Sequence, residues 1–310
     1  MKITSQIFEA HLMCNTKCWL RSLGNVGKQN RYAEWYQTQS DSYRQEGIRC
    51  LLEGLPQKEY SLSPTSRDLR QAGWRLAVGL SLECLYEKKR PSEPNERFPS
   101  IMKKTLQVNS SGPQRSQVVL ATNLQVVERL PPEGRGKTSE YLPLRFIFRN
   151  NLSIEDKLLL GFDAIVLSGI IGHNVSYGKI VHGDDRRISR VKIPNLLGKV
   201  HRRIENIFIL LSTSSPPDLV LNRNCTECEF GIDCHKMAVE KDELSLLVGM
   251  GLKERESYHK RGIFTVTQLS HTFRPRKRPK WLKDKPEKYH HSLKALAIRD
   301  KKSMLWAIHF

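Results

Sequence analysis

The sequence lacks any apolar run long enough to cross a bilayer as a helix, and this excludes a helical membrane protein. Its start, MKITSQIFEAHLM, has neither the basic opening nor the apolar centre of a secretory signal peptide. The seven cysteines are an odd number and do not fit a fully paired secreted framework. We therefore expect a cytoplasmic protein without a membrane partner, in which clustered thiols stay reduced and favour metal over disulfides.

Acidic residues are also scarce, since 32 Asp and Glu accompany 51 Lys and Arg and give a formal net charge of +19. The excess is concentrated in residues 274–302, which contain twelve Lys or Arg and three acidic residues. A basic stretch of this kind fits a nucleic-acid backbone, because each neutralised phosphate releases condensed counterions. The alternative is a solvated linker whose charge only confers solubility. The expected nucleic-acid contacts here are Arg274, Arg276, Lys277 and Arg278.

The chain is long and apolar enough to form one large or two modest globular domains, with 310 residues of which 39% are hydrophobic and 27% charged. Hydrophobic periodicity predicts helices at 3–23, 31–52, 153–172 and 193–212. It predicts strands at 116–130, 140–148, 175–183 and 187–193, the first two joined as a hairpin. Ser153 followed by Asp156 resembles a capping box. This order indicates an α/β or α+β core framed by helices.

Three cysteines form the densest chemical motif, namely Cys225, Cys228 and Cys234, with the spacing C-x2-C-x5-C. Two residues between a pair of thiolates let the backbone wrap one metal centre, and the third thiolate closes the same side. Three is one fewer than the four ligands that iron–sulfur clusters and structural zinc use. The fourth is expected about two hundred residues upstream, at Cys14 or Cys18.

A [4Fe-4S] cluster is the favoured occupant of this site, because such clusters accept a widely separated fourth cysteine. Zinc is an alternative, since His235 directly follows Cys234 and an imidazole can replace the fourth thiolate. The third alternative is that these thiols hold no metal.

Residues 244–269 form a separate motif, with an apolar helix, a Gly-Met-Gly turn, a second helix and a later Gly-Ile turn. This order is typical of a helix-hairpin-helix that binds DNA. Glycine lets the backbone approach a phosphate closely, and the helix N-terminus that follows presents free amides. The expected contacts are Gly249, Gly251 and Lys253. The alternative is a helical hairpin whose glycines serve packing alone.

The N-terminal Cys-x3-Cys-x-Leu-Arg motif, the β-rich middle and the C-x2-C-x5-C motif together resemble RecB-like nucleases of the Cas4 type, which have the PD-(D/E)XK restriction-endonuclease-like fold. The segments LSLLVGM and GIFTVTQLSHTFRPR resemble more closely a bacterial RecB-like group that continues into an RNase H-like exonuclease domain. The resemblance spans nearly the whole chain. It implies a nuclease-fold domain over 1–240, a helix-hairpin-helix-like module over 241–272 and a basic Pro-rich tail over 273–310.

The resemblance also implies a cofactor and partners. The implied cofactor is a [4Fe-4S] cluster held by Cys14, Cys225, Cys228 and Cys234, with Cys18 as the competing N-terminal ligand. The implied partners are DNA and either an RNase H-like exonuclease domain or a helicase, and an active member would hydrolyse phosphodiesters with Mg²⁺ or Mn²⁺. A weaker alternative is a zinc-bearing RNA-processing factor.

The catalytic positions that the resemblance implies are substituted in this chain. The metal-binding Asp falls at Gln125, and the acidic and lysine positions fall at Arg145 and Ile147. A neutral amide, a cation and an alkyl group do not provide the two carboxylates that hold Mg²⁺ or the lysine that positions the water. We therefore expect a degenerate nuclease site, and a non-cleaving DNA-binding module is the alternative to an active nuclease.

Two displaced arrangements could still gather a metal ion. Glu128, near the predicted hairpin, and Asp163, in the helix that follows it, could form a carboxylate pair. His182, Asp184 and Asp185 form the second arrangement, although a polar turn between two strands accounts for them equally well.

Overall fold

The computed structural model describes residues 1–27, 30–65, 69, 73–86, 118–132, 134, 138–273 and 290–300. The chain divides into two compact units. Unit 1 comprises Met1–Leu12 and Thr38–Ile209, and unit 2 comprises Met13–Gln37 and Leu210–Phe310. The N-terminal and C-terminal cysteines of the predicted metal site therefore belong to the same unit.

One mixed sheet, seven-stranded in the described residues, forms the centre of unit 1. Its strands are β1 (Lys2–Thr4), β2 (Tyr60–Leu62), β3 (Leu76–Tyr86), β4 (Val118–Leu130), β5 (Glu140–Ile147), β6 (Tyr177–His182) and β7 (Arg187–Lys192). Strands β2 to β7 lie side by side in chain order, and β1 pairs with β4. Neighbours β3/β4, β4/β5 and β6/β7 are antiparallel, whereas β1/β4, β2/β3 and β5/β6 are parallel. This is a mixed α and β fold, as the sequence predicts.

The helices are α1 (Ser5–Met13), α2 (Asn15–Ser22), α3 (Arg31–Leu52), α4 (Ile154–Ile171), α5 (Pro194–Ser212), α6 (Gly231–Glu240), α7 (Leu252–Lys260), α8 (Val266–Ser270) and α9 (His290–Arg299). The three helices predicted at 31–52, 153–172 and 193–212 are confirmed as α3, α4 and α5. Within the described residues, no helix combines the length and the apolar character needed to cross a membrane.

Local sequence signals account for the start of α4. The Ser153 hydroxyl accepts a hydrogen bond from the Asp156 N–H at 3.2 Å, and the Asp156 carboxylate accepts one from the Ser153 N–H at 2.8 Å. This reciprocal pair is the capping box that the sequence predicts, and it satisfies two amides that would otherwise lack a partner in the first turn.

Helices α3 and α4 cover opposite faces of strand β5. Leu144 and Phe146 pack in the apolar cluster beneath α3, whereas Arg145 between them binds Asp163 of α4. Successive side chains of a strand point to opposite faces, so this alternation follows from strand geometry. Helix α3 approaches closely because Gly47 lacks a side chain, since a Cβ there would lie 2.3 Å from the Phe146 ring. Burial of each large apolar side chain contributes about 1.5–3 kcal/mol.

The helix predicted over 3–23 is confirmed only in part, because the segment forms two helices, α1 and α2, preceded by a strand. The chain begins with β1, in which Ile3 pairs with Leu120 of β4. The helical part is then interrupted at Cys14, whose backbone is extended with φ −167° and ψ 137°. A pairing between residues so far apart in sequence overrides the local helical period. The interruption makes Cys14 the N-cap of α2 instead of an interior helical residue.

Unit 2 contains two small apolar clusters, one around Phe230 and Cys234 and one around Leu244 and Leu269. The apolar helix predicted at the start of the 244–269 motif is wrong, because only a 3₁₀ turn, Leu244–Leu246, is present there. The Glu243 carboxylate accepts from the Ser245 N–H at 2.6 Å and caps this short turn. The helix-hairpin-helix identity of this region stays a prediction.

His11 in α1 makes the stability of the fold depend on pH. It is 6% exposed, and burial together with the Arg203 charge lowers its pKa from 6.5 to about 4. Below pH 6.5 the unfolded chain therefore binds a proton at His11, whereas the folded chain does not bind it until the pH approaches 4. This difference lowers the free energy of unfolding by about 2 kcal/mol at pH 5. The free energy of unfolding, measured by urea titration at each pH, should fall less between pH 7.5 and pH 5 in His11→Gln than in the wild type.

The exposed His271 provides the matched control. His271→Gln should show the full wild-type fall in stability between the two pH values. A fall in His11→Gln as large as that of the wild type would contradict the assignment.

Candidate functional site

The segment Asn222 to Cys234, here called the cysteine loop, has a tight backbone. Cys225 lies in a 3₁₀ turn, Cys228 ends that turn, and Cys234 lies in α6. The Cys225 N–H donates to the Asn222 carbonyl at 3.0 Å, and the Gly231 N–H donates to the Cys228 carbonyl at 2.9 Å. A Cβ at Gly231 would lie 2.1 Å from the Cys225 carbonyl oxygen, so the loop requires glycine there. Three sulfurs are thereby carried on one compact segment.

Hydrogen bonds within unit 2 bring the N-terminal cysteines to the cysteine loop. The side-chain amides of Asn222 and Asn224 donate to the Met13 carbonyl at 3.3 and 3.2 Å. Cys14 is the next residue along the chain, so its backbone lies beside the loop.

Glu229 supplies a second fastening between α2 and the cysteine loop. Its carboxylate pairs with Lys17 and Arg21 at 2.8 Å each. Although burial opposes ionisation, these two cations lower the pKa of Glu229 to about 2. Sequence reasoning missed Glu229, because its only signal is its position after Cys228 and a lone glutamate is usually a solvated residue.

The thiols of this site influence one another electrostatically. Burial raises the pKa of Cys234 to about 11, and the charges of Cys14, Cys225 and Cys228 add to this effect. Burial also raises the pKa of Cys225, and Cys14 again adds to it. The Cys14 charge therefore acts on both Cys225 and Cys234.

Cys18 lies in a different environment from Cys14. It is fully buried, and burial followed by the charge of Cys14 raises its pKa to about 12. Cys14, and not Cys18, perturbs the pKa values of Cys225 and Cys234. These pKa effects link Cys14, and not Cys18, to the thiols of the cysteine loop. His235, the zinc alternative, is exposed on α6.

The described part of the chain contains no group of three or more His, Cys, Asp or Glu side chains already arranged around a common ion position. Four cysteines on two separate segments match the number and kind of ligands that an iron–sulfur cluster takes. Their role as ligands of such a cluster stays a prediction.

The three positions at which the family resemblance implies catalytic residues all have structural partners. The Gln125 side-chain oxygen accepts from the Phe146 N–H at 2.7 Å and so joins β4 to β5. Arg145 points into the protein with 9% of its surface exposed. Ile147 pairs with His182 between β5 and β6. These positions contribute to the structure of the sheet and carry no carboxylate that could bind a metal ion.

Asp163 and Arg145 form a buried ion pair. The Asp163 carboxylate is fully buried, accepts from both Arg145 Nε and Nη2, the latter at 2.9 Å, and accepts from the Thr122 hydroxyl at 2.5 Å. Burial alone would lower the pKa of Arg145, but the Asp163 charge outweighs it and raises that pKa. The guanidinium thus takes up both oxygens of the carboxylate, which a metal ion would otherwise bind.

Glu128, the other carboxylate of the predicted metal pair, forms an ion pair with Lys179 of β6. The side chains of Glu128 and Lys179 are 13% and 26% exposed. Glu128 and Asp163 therefore each contact a separate basic partner, and a metal ion would have to displace both. Their role in metal binding stays a prediction.

The second displaced arrangement lies in the β6–β7 turn. His182 Nδ1 hydrogen-bonds with the Asn150 carbonyl at 3.0 Å, and the Asp184 carboxylate accepts from the Asn150 side-chain amide at 3.1 Å. Asp185 pairs with Arg187. Each polar group thus has a partner within or beside the turn, as expected for a polar connection between strands.

The expected nucleic-acid contacts are described only in part. Gly249 has φ +89°, which favours glycine, but the Gly251 N–H donates to the Glu254 carboxylate at 3.0 Å and is not available to a phosphate. Lys253 is exposed, whereas Arg255 pairs with the buried Glu243. The remaining expected contacts lie outside the described residues, and these are Arg274, Arg276, Lys277 and Arg278.

Comparison with known proteins adds little to this geometry. No family model and no curated protein matches the chain. A solved structure described as "Crystal structure of SSO0001" matches 74% of this chain and 84% of its own length, with 14% identity and a TM-score of 0.34. A likeness this low carries no argument, so the site is interpreted from its own residues.

Proposed function

We propose that this protein binds DNA without cleaving it and serves a partner such as an RNase H-like exonuclease domain or a helicase. The observation that carries this proposal is the buried ion pair between Arg145 and Asp163. It lies where the family resemblance implies that a nuclease would hold its metal ion. A fixed guanidinium repels a divalent cation and occupies the carboxylate that the ion would need.

The second part of the proposal is a [4Fe-4S] cluster held by Cys14, Cys225, Cys228 and Cys234. The hydrogen bonds from Asn222 and Asn224 to the Met13 carbonyl support it, because they hold the backbone next to Cys14 beside the loop that carries the other three cysteines. When bound, the cluster would join α2 covalently to the cysteine loop and provide one-electron redox capacity. Zinc with His235 is the alternative ligand chemistry.

The third part is a DNA interface on the basic segment. The formal net charge of +19 and the exposed Lys253 support it. Arg274, Arg276, Lys277 and Arg278 supply the greatest local concentration of positive charge and would contact backbone phosphates. Contacts of this kind position the protein on DNA and do not select a base sequence.

Metal-dependent cleavage by a displaced site is the second candidate function. The observation that favours it is the partly exposed pair of Glu128 and Lys179, because a nuclease of this class uses a carboxylate and a lysine together. If cleavage occurs with Mg²⁺ or Mn²⁺, Glu128→Ala should abolish it.

Binding is tested by fluorescence anisotropy with labelled single- and double-stranded DNA over a range of salt concentrations. The logarithm of the association constant should fall linearly with the logarithm of the salt concentration. Replacing Arg274, Arg276, Lys277 and Arg278 together by Gln should reduce the magnitude of the slope for the duplex by about 3 to 4. Wild-type protein that binds neither form of DNA at about 50 mM salt would contradict the proposal.

A further inference from the structure

The first two turns of α3 carry three aromatic rings on one side. Tyr32, Trp35 and Tyr36 have the spacing i, i+3 and i+4, which makes them neighbours on a helix surface. The ring centroids of Tyr32 and Trp35 are 5.6 Å apart, and those of Tyr32 and Tyr36 are 6.4 Å apart. The rings therefore form one continuous aromatic surface, here called the aromatic face.

The aromatic face is unusually exposed for a row of aromatic residues on a helix. Aromatic residues at helical spacing usually belong to a core, yet Tyr32 is 44% exposed and Trp35 is 50% exposed. Farther along the same helix, Tyr43 is half-buried and its hydroxyl donates to the Gly183 carbonyl at 2.8 Å. Tyr36 is half-buried like Tyr43, so the rings of the aromatic face that reach solvent are those of Tyr32 and Trp35. Adjacent exposed rings form an apolar patch, and such patches mark interaction sites.

Asn30 fixes the position of the aromatic face within unit 2. Its side-chain oxygen accepts from the Tyr32 and Ala33 N–H groups at 3.0 and 3.3 Å and so caps α3. Its side-chain nitrogen donates to the carbonyls of Thr226 and Cys228, at 3.2 Å each. The rings are therefore held beside the cysteine loop before any ligand arrives, which reduces the ordering cost of binding.

We propose that the aromatic face binds unpaired bases of single-stranded DNA by stacking. This inference rests on the proposed DNA-binding function and specifies its strand preference. Flat rings at fixed positions match the faces of successive bases, and those faces are accessible only where the strand is unpaired. The chain charge of +19 and the exposed Arg31 at the start of α3 complement the phosphates that accompany such bases. A preference for any base sequence is not expected, because every base has a face that can stack.

The test compares Trp35→Ala with Trp35→Phe in the full-length, cluster-containing protein. The probes are an oligothymidine single strand and a duplex of mixed sequence, and binding is followed by anisotropy. Trp35→Ala should bind the single strand about 5- to 150-fold more weakly than the wild type. Trp35→Phe, which keeps a ring, should lose much less. The dependence of single-strand binding on salt should be the same in both variants, because no charge is removed.

Two controls separate this inference from the proposed function. Duplex binding should change by no more than about twofold in Trp35→Ala, because paired bases do not offer their faces. Acrylamide should quench the fluorescence contributed by Trp35, taken as the difference between wild type and Trp35→Phe, and the oligothymidine should protect it. Equal melting temperatures for the variants would exclude loss of folding as the cause.

Each contrary outcome has a distinct meaning. If wild type and Trp35→Ala bind the single strand equally well, the aromatic face does not stack bases and the inference is wrong, while DNA binding itself stands. If Trp35 is already shielded from acrylamide without DNA, another part of the chain or a second protein covers the face, and the inference is also wrong. If wild type binds neither form of DNA, the proposed function fails together with the inference.

Discussion

Arg145→Leu should lower the free energy of unfolding by about 3–5 kcal/mol, because it leaves the buried Asp163 carboxylate without its cation. Asp163 is fully buried and receives both hydrogen bonds of the guanidinium as well as one from Thr122. A carboxylate that loses such a partner must either stay charged in a poorly solvated position or take up a proton. Urea unfolding monitored by circular dichroism measures the loss.

The double variant Arg145→Leu with Asp163→Leu is the matched control. Replacing both members of a buried pair by apolar residues of similar volume is often neutral or stabilising, so the double variant should recover most of the lost stability. An Arg145→Leu protein as stable as the wild type would contradict a structural role for the pair. A gain of Mg²⁺-dependent cleavage in that variant would show that Arg145 blocks an otherwise competent site.

Cys14→Ser should remove most of the iron from the purified protein, whereas Cys18→Ser should retain it. Loss of a residue beyond the first ligand shell already costs about 10- to 100-fold in metal affinity, and loss of a ligand should cost at least as much. The two cysteines are four residues apart in the N-terminal region, but only Cys14 influences the pKa values of Cys225 and Cys234. Iron and sulfide analysis of anaerobically purified protein, together with visible absorption, measures the difference.

The opposite pattern, with iron lost in Cys18→Ser and kept in Cys14→Ser, would show that Cys18 is the fourth ligand. One zinc ion per chain with no iron would contradict the cluster and favour the zinc site with His235. The buried Cys18→Ser also tests whether loss of packing alone reduces the iron content, because a buried hydroxyl needs a hydrogen-bond partner that the thiol did not.

Features with local signals could be predicted from the sequence. The helix 31–52 follows from its periodicity, the β4–β5 hairpin from two strand-like runs around a turn, and the start of α4 from Ser153 and Asp156. The N-terminal segment could not be predicted in the same way. The pairing of Ile3 with Leu120 is a contact across the chain, and the extended Cys14 that follows interrupts a helical period.

In the candidate site as well, local sequence patterns could be predicted and contacts between distant parts of the chain could not. The spacing of Cys225, Cys228 and Cys234 predicts a ligand group from the sequence alone. The choice between Cys14 and Cys18 depends on hydrogen bonds from the cysteine loop to the Met13 carbonyl, which no spacing reveals.

Arg145 illustrates a second limit of the sequence. The sequence shows a basic residue where the family resemblance implies an acidic one, but it does not show which residue pairs with Arg145. Asp163 lies on another element, and a buried aspartate in an apolar helix fits a catalytic role as well as a structural one until its neighbours are known.

One measurement tests the central claim, DNA binding without cleavage, most directly. Wild-type protein, purified anaerobically, is incubated with end-labelled single- and double-stranded DNA in Mg²⁺ or Mn²⁺, at a concentration that saturates binding. The same samples are then resolved on native and denaturing gels. The account predicts shifted DNA on the native gel and intact strands on the denaturing gel. Metal-dependent strand cleavage that disappears in Glu128→Ala would contradict it.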